Sequence, residues 1–182
     1  MNRFITISGI ALLLPLASCA ARDIEPTIIG DTLEFTLRDF DGNEVRHTDV
    51  RFKGKVVLVD IWGTWCPPCR DAVPNLVDMQ EKYSDAGPVI VGVAFEDSED
   101  PEERRERVMK FVDEYRVNYL MLDGTQAGSV SEAFPTLQGF RGFPTMIVVG
   151  RDGKVAHANT VFPRENKRIR KEVEKALGLR EE

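Results

Sequence analysis

Cys66 and Cys69 are the two residues of this 182-residue chain whose type and spacing point most directly to chemistry. They form a Cys-x-x-Cys pair where an apolar run, residues 55–61, gives way to a helical pattern that continues to about Tyr83. A cysteine at the start of a helix is favoured as a thiolate, because free backbone N–H groups and the helix dipole stabilise its charge. The pattern therefore predicts thiol-disulfide exchange, with Cys66 as nucleophile and the more buried Cys69 as resolving thiol.

The two residues between the cysteines are both proline, Pro67 and Pro68. Proline is tolerated in the first turn of a helix, where its missing N–H group has no intrahelical partner to lose. The same two residues deny Cys66 two possible hydrogen bonds, which is one way in which the reduction potential of the pair could be tuned.

Other roles of the two cysteines would require a different loop length or additional metal ligands. A purely structural disulfide would close a very short loop and remove little chain entropy. A closed zinc site needs about four ligands, whereas the domain offers only these cysteines plus His47 and His157, which lie far apart in sequence. We therefore predict no resident metal, no cofactor and no catalytic histidine. A Cu(I) carrier that uses the same two thiols stays open as an alternative.

The remaining patterns predict the framework around the cysteines. Alternating residues and Asp-Gly turns predict an N-terminal hairpin and a second hairpin near the C-terminus. Between them, buried β-branched runs alternate with amphipathic segments, which predicts a mixed α/β sheet covered on both faces. The predicted strands are residues 33–37, 44–47, 55–61, 89–95, 119–122, 145–149 and 155–160, and the predicted helices run from the cysteines to 83 and over 101–115, 130–134 and 163–177.

The first residues are predicted to lie outside the folded domain. Residues 1–18 have the positive start and short apolar run of a secretory signal peptide, and that run is too short to span a bilayer. The tetrad Leu16-Ala17-Ser18-Cys19 resembles the bacterial lipoprotein box, which implies a lipid on Cys19, a membrane partner and a tether over residues 19–30. Ordinary signal cleavage is the alternative. The domain is then 31–182, and a net charge of −6 without a basic run argues against a nucleic-acid partner.

The segment Val59-Asp60-Ile61-Trp62-Gly63-Thr64-Trp65-Cys66-Pro67-Pro68-Cys69 resembles the active-site segment of the thioredoxin superfamily. Gly63-Thr64-Trp65 is similar to its extracytoplasmic, membrane-tethered branch, the TlpA/ResA-like reductases, and the similarity covers about residues 28–178. It implies a thioredoxin-like fold with a mixed central sheet, helices on both faces, an N-terminal β-hairpin and an inserted strand-helix.

The resemblance also implies roles for individual residues. Asp60 matches a buried acid that handles the proton of the resolving cysteine, with its pKa raised by desolvation. A carboxylate paired with a lysine is the alternative interpretation. Phe143-Pro144 matches a cis-proline loop that faces the cysteines and pairs with an extended substrate; a merely structural turn is the alternative. Ala72 departs from the branch, in which some members have glutamate there, so acid-base work should fall to Asp60.

The expected substrate-binding residues are those around the cysteines, with Trp65 shielding the disulfide and Trp62 packed beneath. They are Trp65, Pro67, Pro68, Phe143 and Pro144. The implied function is reduction of disulfides in extracytoplasmic client proteins, such as apocytochrome c or copper-site proteins, supplied by a membrane thiol electron carrier. A disulfide oxidant is the alternative direction. A peroxidase is disfavoured because Gly63 occupies the position of the threonine that peroxide-reducing relatives need.

Overall fold

The computed structural model describes residues 28–83, 87–160 and 166–179. In this part of the chain a seven-stranded sheet is combined with four α-helices and one 3₁₀ turn. The strands are β1 (Thr36–Asp39), β2 (Glu44–Arg46), β3 (Val57–Trp62), β4 (Val89–Ala94), β5 (Leu120–Asp123), β6 (Thr145–Val149) and β7 (Val155–Thr160). The helices are α1 (Pro67–Lys82), α2 (Pro101–Tyr115), α3 (Val130–Ala133) and α4 (Asn166–Ala176), and the 3₁₀ turn is Thr125–Ala127.

The sheet has the strand order β2-β1-β5-β4-β3-β6-β7 and is mixed. Strands β3, β4 and β5 are parallel, and they are joined through the crossover helices α1 and α2. The hairpins β1-β2 and β6-β7 pair antiparallel at the two sides, with β1 against β5 and β6 against β3. Strand β3 is therefore central, and its carboxyl end delivers the chain directly to the cysteines.

The two faces of β3 are covered differently. Val57, Val59 and Ile61 point into one hydrophobic cluster with the aromatic side chains of the N-terminal region and of α3 and its C-terminal end. Leu58 and Trp62 point to the other face, where helices α1 and α4 cover Leu58 and helices α1 and α2 cover Trp62. Helices thus lie on both faces, as predicted, and the cysteine-bearing helix packs on the face of Leu58 and Trp62.

Helix α2 shows why several predicted boundaries are accurate. Asp100 caps its N-terminus by accepting a hydrogen bond from the backbone N–H of Glu102 at 2.9 Å, and Pro101 occupies the first turn. Arg116 ends the helix in the left-handed conformation, with φ of 53°. These local signals can be recognised in the sequence. The helix in the structure therefore has the predicted bounds, 101–115.

The first strand begins later than predicted. Residues 33–35 alternate in burial like a strand, yet β1 starts only at Thr36. The backbone N–H of Glu34 donates instead to Oγ1 of Thr136 at 3.0 Å, and that of Phe35 donates to Nδ1 of His47 at 3.2 Å. Side chains, rather than a neighbouring strand, therefore satisfy these two N–H groups.

Two predictions on the chain ends fall partly or wholly on residues outside the described ranges. The signal peptide, Cys19 and most of the tether belong to residues 1–27, and the predicted start of the last helix belongs to residues 161–165. The described part of that helix, Asn166–Ala176, buries Ile169 and Val173, as its periodicity predicted. No helix in the described ranges is long and apolar enough to cross a membrane.

Candidate active site

Cys66 and Cys69 are joined by a disulfide at the junction of β3 and α1. Their Cα atoms are 5.3 Å apart and their sulfur atoms 2.08 Å apart. Cys66 is the N-cap of α1 with extended backbone angles, and the backbone N–H groups of Cys69 and Arg70 both donate to its carbonyl oxygen. The reactive pair therefore lies at the positive end of a 16-residue helix, where a thiolate is stabilised.

Both cysteines are almost completely covered. Cys69 is 0% exposed and Cys66 only 3%, whereas the neighbouring Trp65 is 47% exposed. Both sulfur-bearing residues belong to the hydrophobic cluster that also contains Trp62. The expected order of burial is observed, but the difference is small.

Pro67 and Pro68 occupy the first two positions of α1. Neither has an N–H group, and Cys66 receives no side-chain capping bond. The helix start therefore has fewer backbone donors near Cys66 than an ordinary helix start would have, in agreement with the sequence-based expectation.

The loop before β6 lies at the same edge of the sheet as the disulfide. The Phe143–Pro144 peptide bond is cis, and the next residue, Thr145, pairs with Ile61 near the end of β3. The Phe143 ring packs edge-on against Trp65, with ring centroids 5.1 Å apart, and also lies against the cluster that holds the cysteines. The structure thus brings the loop to the site through Phe143. The substrate-binding roles of this loop and of the neighbouring residues stay predictions.

Asp60 lies beneath the site, on the same face of β3 as Leu58 and Trp62, which helix α1 covers. It is 1% exposed, and neither carboxylate oxygen has a hydrogen-bond partner in the described part of the chain. Burial raises the pKa of this carboxyl from 3.8 to about 7. No lysine pairs with it in the described ranges, so the ion-pair alternative has no support here. A carboxyl that titrates near neutrality can accept and return a proton, and that role stays a prediction.

Sequence reasoning missed a second buried acid at this edge, Glu96. Its carboxylate accepts two hydrogen bonds from Thr64, one from the backbone N–H at 2.8 Å and one from the hydroxyl at 2.6 Å. The backbone N–H of Glu96 in turn donates to Oγ1 of Thr125 at 2.7 Å. The segment that leads to Cys66 is therefore fastened to the end of β4. An acid directly after a buried parallel strand was the available signal, because the carboxyl ends of parallel strands share one edge.

Gly63 and Trp65 are held against the same strand end. The indole N–H of Trp65 donates to the carbonyl oxygen of Phe95 at 2.8 Å. A Cβ atom on Gly63 would lie 2.6 Å from that carbonyl oxygen and 2.6 Å from the indole nitrogen. Glycine is therefore required here by the close approach of the chain to Phe95, in addition to any chemical reason for lacking a threonine.

A cleft of about 620 Å³ opens beside Trp65 and Phe143. Its walls include Trp65, Phe95, Phe140 and Phe143, and Glu96 contributes a carboxylate. Aromatic walls with a few polar groups are typical of sites that take up part of a substrate. Two of the five predicted substrate-binding residues, Trp65 and Phe143, thus line the same cleft as Glu96, and Pro67, Pro68 and Pro144 do not line it.

The two histidines do not join this site. His47 lies in the N-terminal hairpin region, where its ring interacts with Phe35. His157 is buried on β7. Across the described ranges, no group of three or more His, Cys, Asp or Glu side chains is arranged to hold a metal ion.

Relatives of this chain are named as thiol-disulfide oxidoreductases. The chain is 30% identical over 122 residues to the thiol-disulfide oxidoreductase ResA of Bacillus thuringiensis subsp. konkukian, a match that covers 66% of this chain and 62% of the relative. ResA of Bacillus subtilis is 28% identical over 130 residues, covering 71% and 65%. The chain thus spans less than two thirds of the length of these relatives.

Solved structures support the fold. A thiol:disulfide interchange protein of the thioredoxin family from Chlorobium tepidum TLS has a TM-score of 0.64 at 25% identity, covering 86% of this chain and 99% of that one. The thioredoxin domain of a thiol-disulfide oxidoreductase from Bacteroides vulgatus has a TM-score of 0.61 at 27% identity, covering 80% and 97%. The thioredoxin-like fold and the ResA-like resemblance are confirmed. The family model described as Redoxin matches residues 29–177, and this chain belongs to the Redoxin family.

Proposed function

We propose that this protein is a thiol-disulfide oxidoreductase that reduces disulfides in client proteins. The observation that carries the proposal is the Cys66–Cys69 disulfide at the N-terminus of α1, in a chain of the Redoxin family. A pair with separate nucleophilic and resolving positions at a helix start suits exchange better than structural cross-linking.

The proposed cycle begins with both cysteines reduced. The Cys66 thiolate attacks one sulfur of a client disulfide, forms a mixed disulfide and releases the other client sulfur as a thiolate. Cys69 gives its proton to Asp60 and attacks the sulfur of Cys66. The Cys66–Cys69 disulfide forms, the second client sulfur leaves as a thiolate, and the two client thiolates take protons from Asp60 and water. Two electrons have passed to the client.

Client binding is assigned to the surface around the disulfide. Trp65 and Phe143 form the aromatic wall of the cleft, and Pro67, Pro68 and Pro144 lie in the two segments that meet there. An extended client segment that pairs with the backbone of Phe143 would hold its disulfide beside Cys66.

The proposed setting is extracytoplasmic and membrane-anchored. The apolar N-terminus and the lipoprotein-box-like tetrad ending at Cys19 support secretion with lipidation, and relatives named ResA support the redox class. Outside the cytoplasm a reductant must be recharged, so a membrane thiol carrier is the proposed electron donor. Apocytochrome c and copper-site proteins are the proposed clients.

Trapping tests the reaction and the client together. In the full chain expressed in its host, Cys69→Ser should accumulate mixed disulfides with clients, because resolution of the Cys66 adduct is blocked. The matched variant Cys66→Ser should accumulate few. The reverse pattern would show that the two roles are exchanged. Stoichiometric Cu(I) binding by the wild type, without turnover of a simple disulfide substrate, would contradict the oxidoreductase and favour the copper carrier.

Redox equilibration tests the direction. A reductant should equilibrate with glutathione at a potential near that of thioredoxin, about −270 mV. A value near about −120 mV, typical of a strong oxidant of the periplasm, would reverse the proposed direction and leave the exchange chemistry intact.

A further inference from the structure

A group of unpartnered polar atoms lies buried beneath the disulfide. It consists of both carboxylate oxygens of Asp60, the indole nitrogen of Trp62 and the hydroxyl of Tyr119, none of which has a hydrogen-bond partner in the described part of the chain. A buried polar group without a partner lowers the stability of the fold, because it has lost its hydrogen bonds to water without replacement. Such a group beside a reactive centre calls for a functional explanation.

Tyr119 reaches this group from the segment just before β5. Its neighbour Leu120 pairs with Val91 and packs on the face of the sheet that contains Val57, Val59 and Ile61. Tyr119 therefore projects toward the other face, which holds Leu58, Asp60 and Trp62. Tyr119 packs against both clusters of that face, the one around Leu58 and the one around Trp62. Asp60 lies between Leu58 and Trp62 on β3, so the side chains of Asp60 and Tyr119 enter the same region.

The surroundings of Asp60 contain few other groups that could compensate its charge. In the same row of the sheet, β4 contributes Gly92 and β6 contributes Met146, neither of which carries a polar side chain. Helix α1 contributes the cysteines, which are joined in the disulfide. Burial is the cause of the raised pKa of Asp60, and no charged side chain of the described ranges contributes to it.

Two other tyrosine hydroxyls on or beside the neighbouring helices have partners elsewhere. The hydroxyl of Tyr115, on α2, accepts a hydrogen bond from Arg70 of α1 at 3.2 Å. The hydroxyl of Tyr83, at the end of α1, donates to Glu174 of α4. The hydroxyl of Tyr119, in contrast, points inward and has no hydrogen-bond partner among the described residues. Burial and the negative charge of Asp60 hold the pKa of Tyr119 well above its usual value, so the phenol keeps its proton and can donate it in a hydrogen bond.

We propose that Tyr119 is a positioning residue for Asp60, and that its hydroxyl donates a hydrogen bond through one buried water to the carboxylate. This inference rests on the proposed function for its consequence, because the carboxylate is the form that accepts the proton of Cys69. A hydrogen-bond donor stabilises the ionised form of the Asp60 carboxyl group in an otherwise apolar site. Tyr119 thereby sets the pH range in which the resolving cysteine can be activated.

The direct test is the titration of the Asp60 carboxyl in the oxidised full-length protein, followed by carbon-13 NMR of labelled aspartate. Tyr119→Phe removes only the hydroxyl and should raise the midpoint by about one pH unit, because a hydrogen bond to a charged group is lost. Tyr115→Phe, which removes another tyrosine hydroxyl near the same cluster, should leave the midpoint unchanged. Tyr119→Leu supplies a second hydroxyl-free side chain and should raise the midpoint in the same direction.

An unchanged or lowered midpoint in Tyr119→Phe, or an equal shift in Tyr115→Phe, would overturn the proposal. Because this titration needs no turnover, it is independent of whether the protein reduces clients. The kinetic consequence is a separate readout: at pH 7, Tyr119→Phe should resolve mixed disulfides about fivefold more slowly, with recovery near pH 9. A pH-independent loss would indicate a structural role instead.

Discussion

Two buried aspartates in the same sheet, Asp60 on β3 and Asp123 at the end of β5, have opposite surroundings. Asp123 is 8% exposed, and one of its carboxylate oxygens accepts hydrogen bonds from Nε and Nη2 of Arg104 at 3.1 and 2.8 Å. Asp60 is buried to a similar degree but has no cation and no donor among the described residues.

The contrast distinguishes a buried carboxyl group that is paired with a cation from one that has no partner. The buried ion pair between Asp123 and Arg104 joins the end of β5 to α2. A buried carboxyl without a partner has its pKa raised toward neutrality, to about 7 for Asp60, and becomes able to exchange protons. The same residue type therefore has two different environments in one sheet, and the same substitution at the two positions should have opposite effects on stability.

The largest effect is expected at the paired site. Asp123→Asn removes the negative charge and leaves Arg104 buried without its counter-ion, which should lower the free energy of unfolding by about 3–5 kcal/mol. Chemical denaturation at pH 7 measures this loss. Asp41→Asn is the matched control, because Asp41 pairs with the neighbouring Arg105 in an exposed ion pair, and its loss should cost less than about 1 kcal/mol. Equal losses in the two variants would remove the distinction between buried and surface pairs.

At the unpaired site the same substitution should stabilise the protein. The pKa of Asp60 is about 7 in the folded protein, against the ordinary value of 3.8 that applies to the unfolded chain. Between these two values the folded protein binds the extra proton, so its stability falls as pH rises. At 1.36 kcal/mol per pKa unit, roughly 4 kcal/mol is lost between about pH 4 and 7. Asp60→Asn cannot ionise and should lack this loss.

The measurement is the difference in unfolding free energy between Asp60→Asn and wild type across pH 4–8. It should be smallest near pH 4, grow in favour of the variant as pH rises, and level off above about pH 7. Turnover should fall by about 100-fold in the same variant, because Cys69 loses its general base. A difference that does not change with pH would show that Asp60 is already ionised when folded.

Much of the framework could be predicted from sequence because its signals are local. Helix α2 is marked by the Asp100 cap and Pro101, and the two C-terminal strands are separated by an Asp-Gly turn. The cysteine pair and its position at a helix start were equally legible. These features depend on neighbours only a few residues away in sequence.

The contacts that define the site could not be predicted in the same way, because they join distant residues. Thr64 and Glu96 lie 32 residues apart, and Arg104 and Asp123 lie 19 apart. Periodicity places a residue on a face but does not name its partner across the fold. Arg104 offered a partial signal, since it precedes the buried Val108 by one helical turn and so falls on the apolar side of α2.

Glu96 is a third buried acid, and its surroundings are intermediate between those of the two aspartates. It is buried like the two aspartates, but its carboxylate is compensated by neutral donors of Thr64 instead of by a cation. Thr64→Val keeps the shape of the side chain and removes one of these donors, the hydroxyl, while the backbone N–H remains. Because a hydrogen bond to a buried carboxyl group is lost, the free energy of unfolding should fall by about 1–2 kcal/mol. This is less than the expected loss at Asp123, where a whole counter-charge is affected.

Thr48→Val is the matched control, because Thr48 is exposed and the same substitution there should change stability by less than about 0.5 kcal/mol. Thr64 lies two residues before Cys66, so its loss should also slow the reaction of the reduced protein with a simple disulfide substrate, without the pH dependence expected for Asp60→Asn. If Thr64→Val changed neither stability nor rate, the Glu96 contact would be dispensable for holding the cysteine segment. Compensation by a full charge would then be the feature that separates a structural buried acid from a chemical one in this fold.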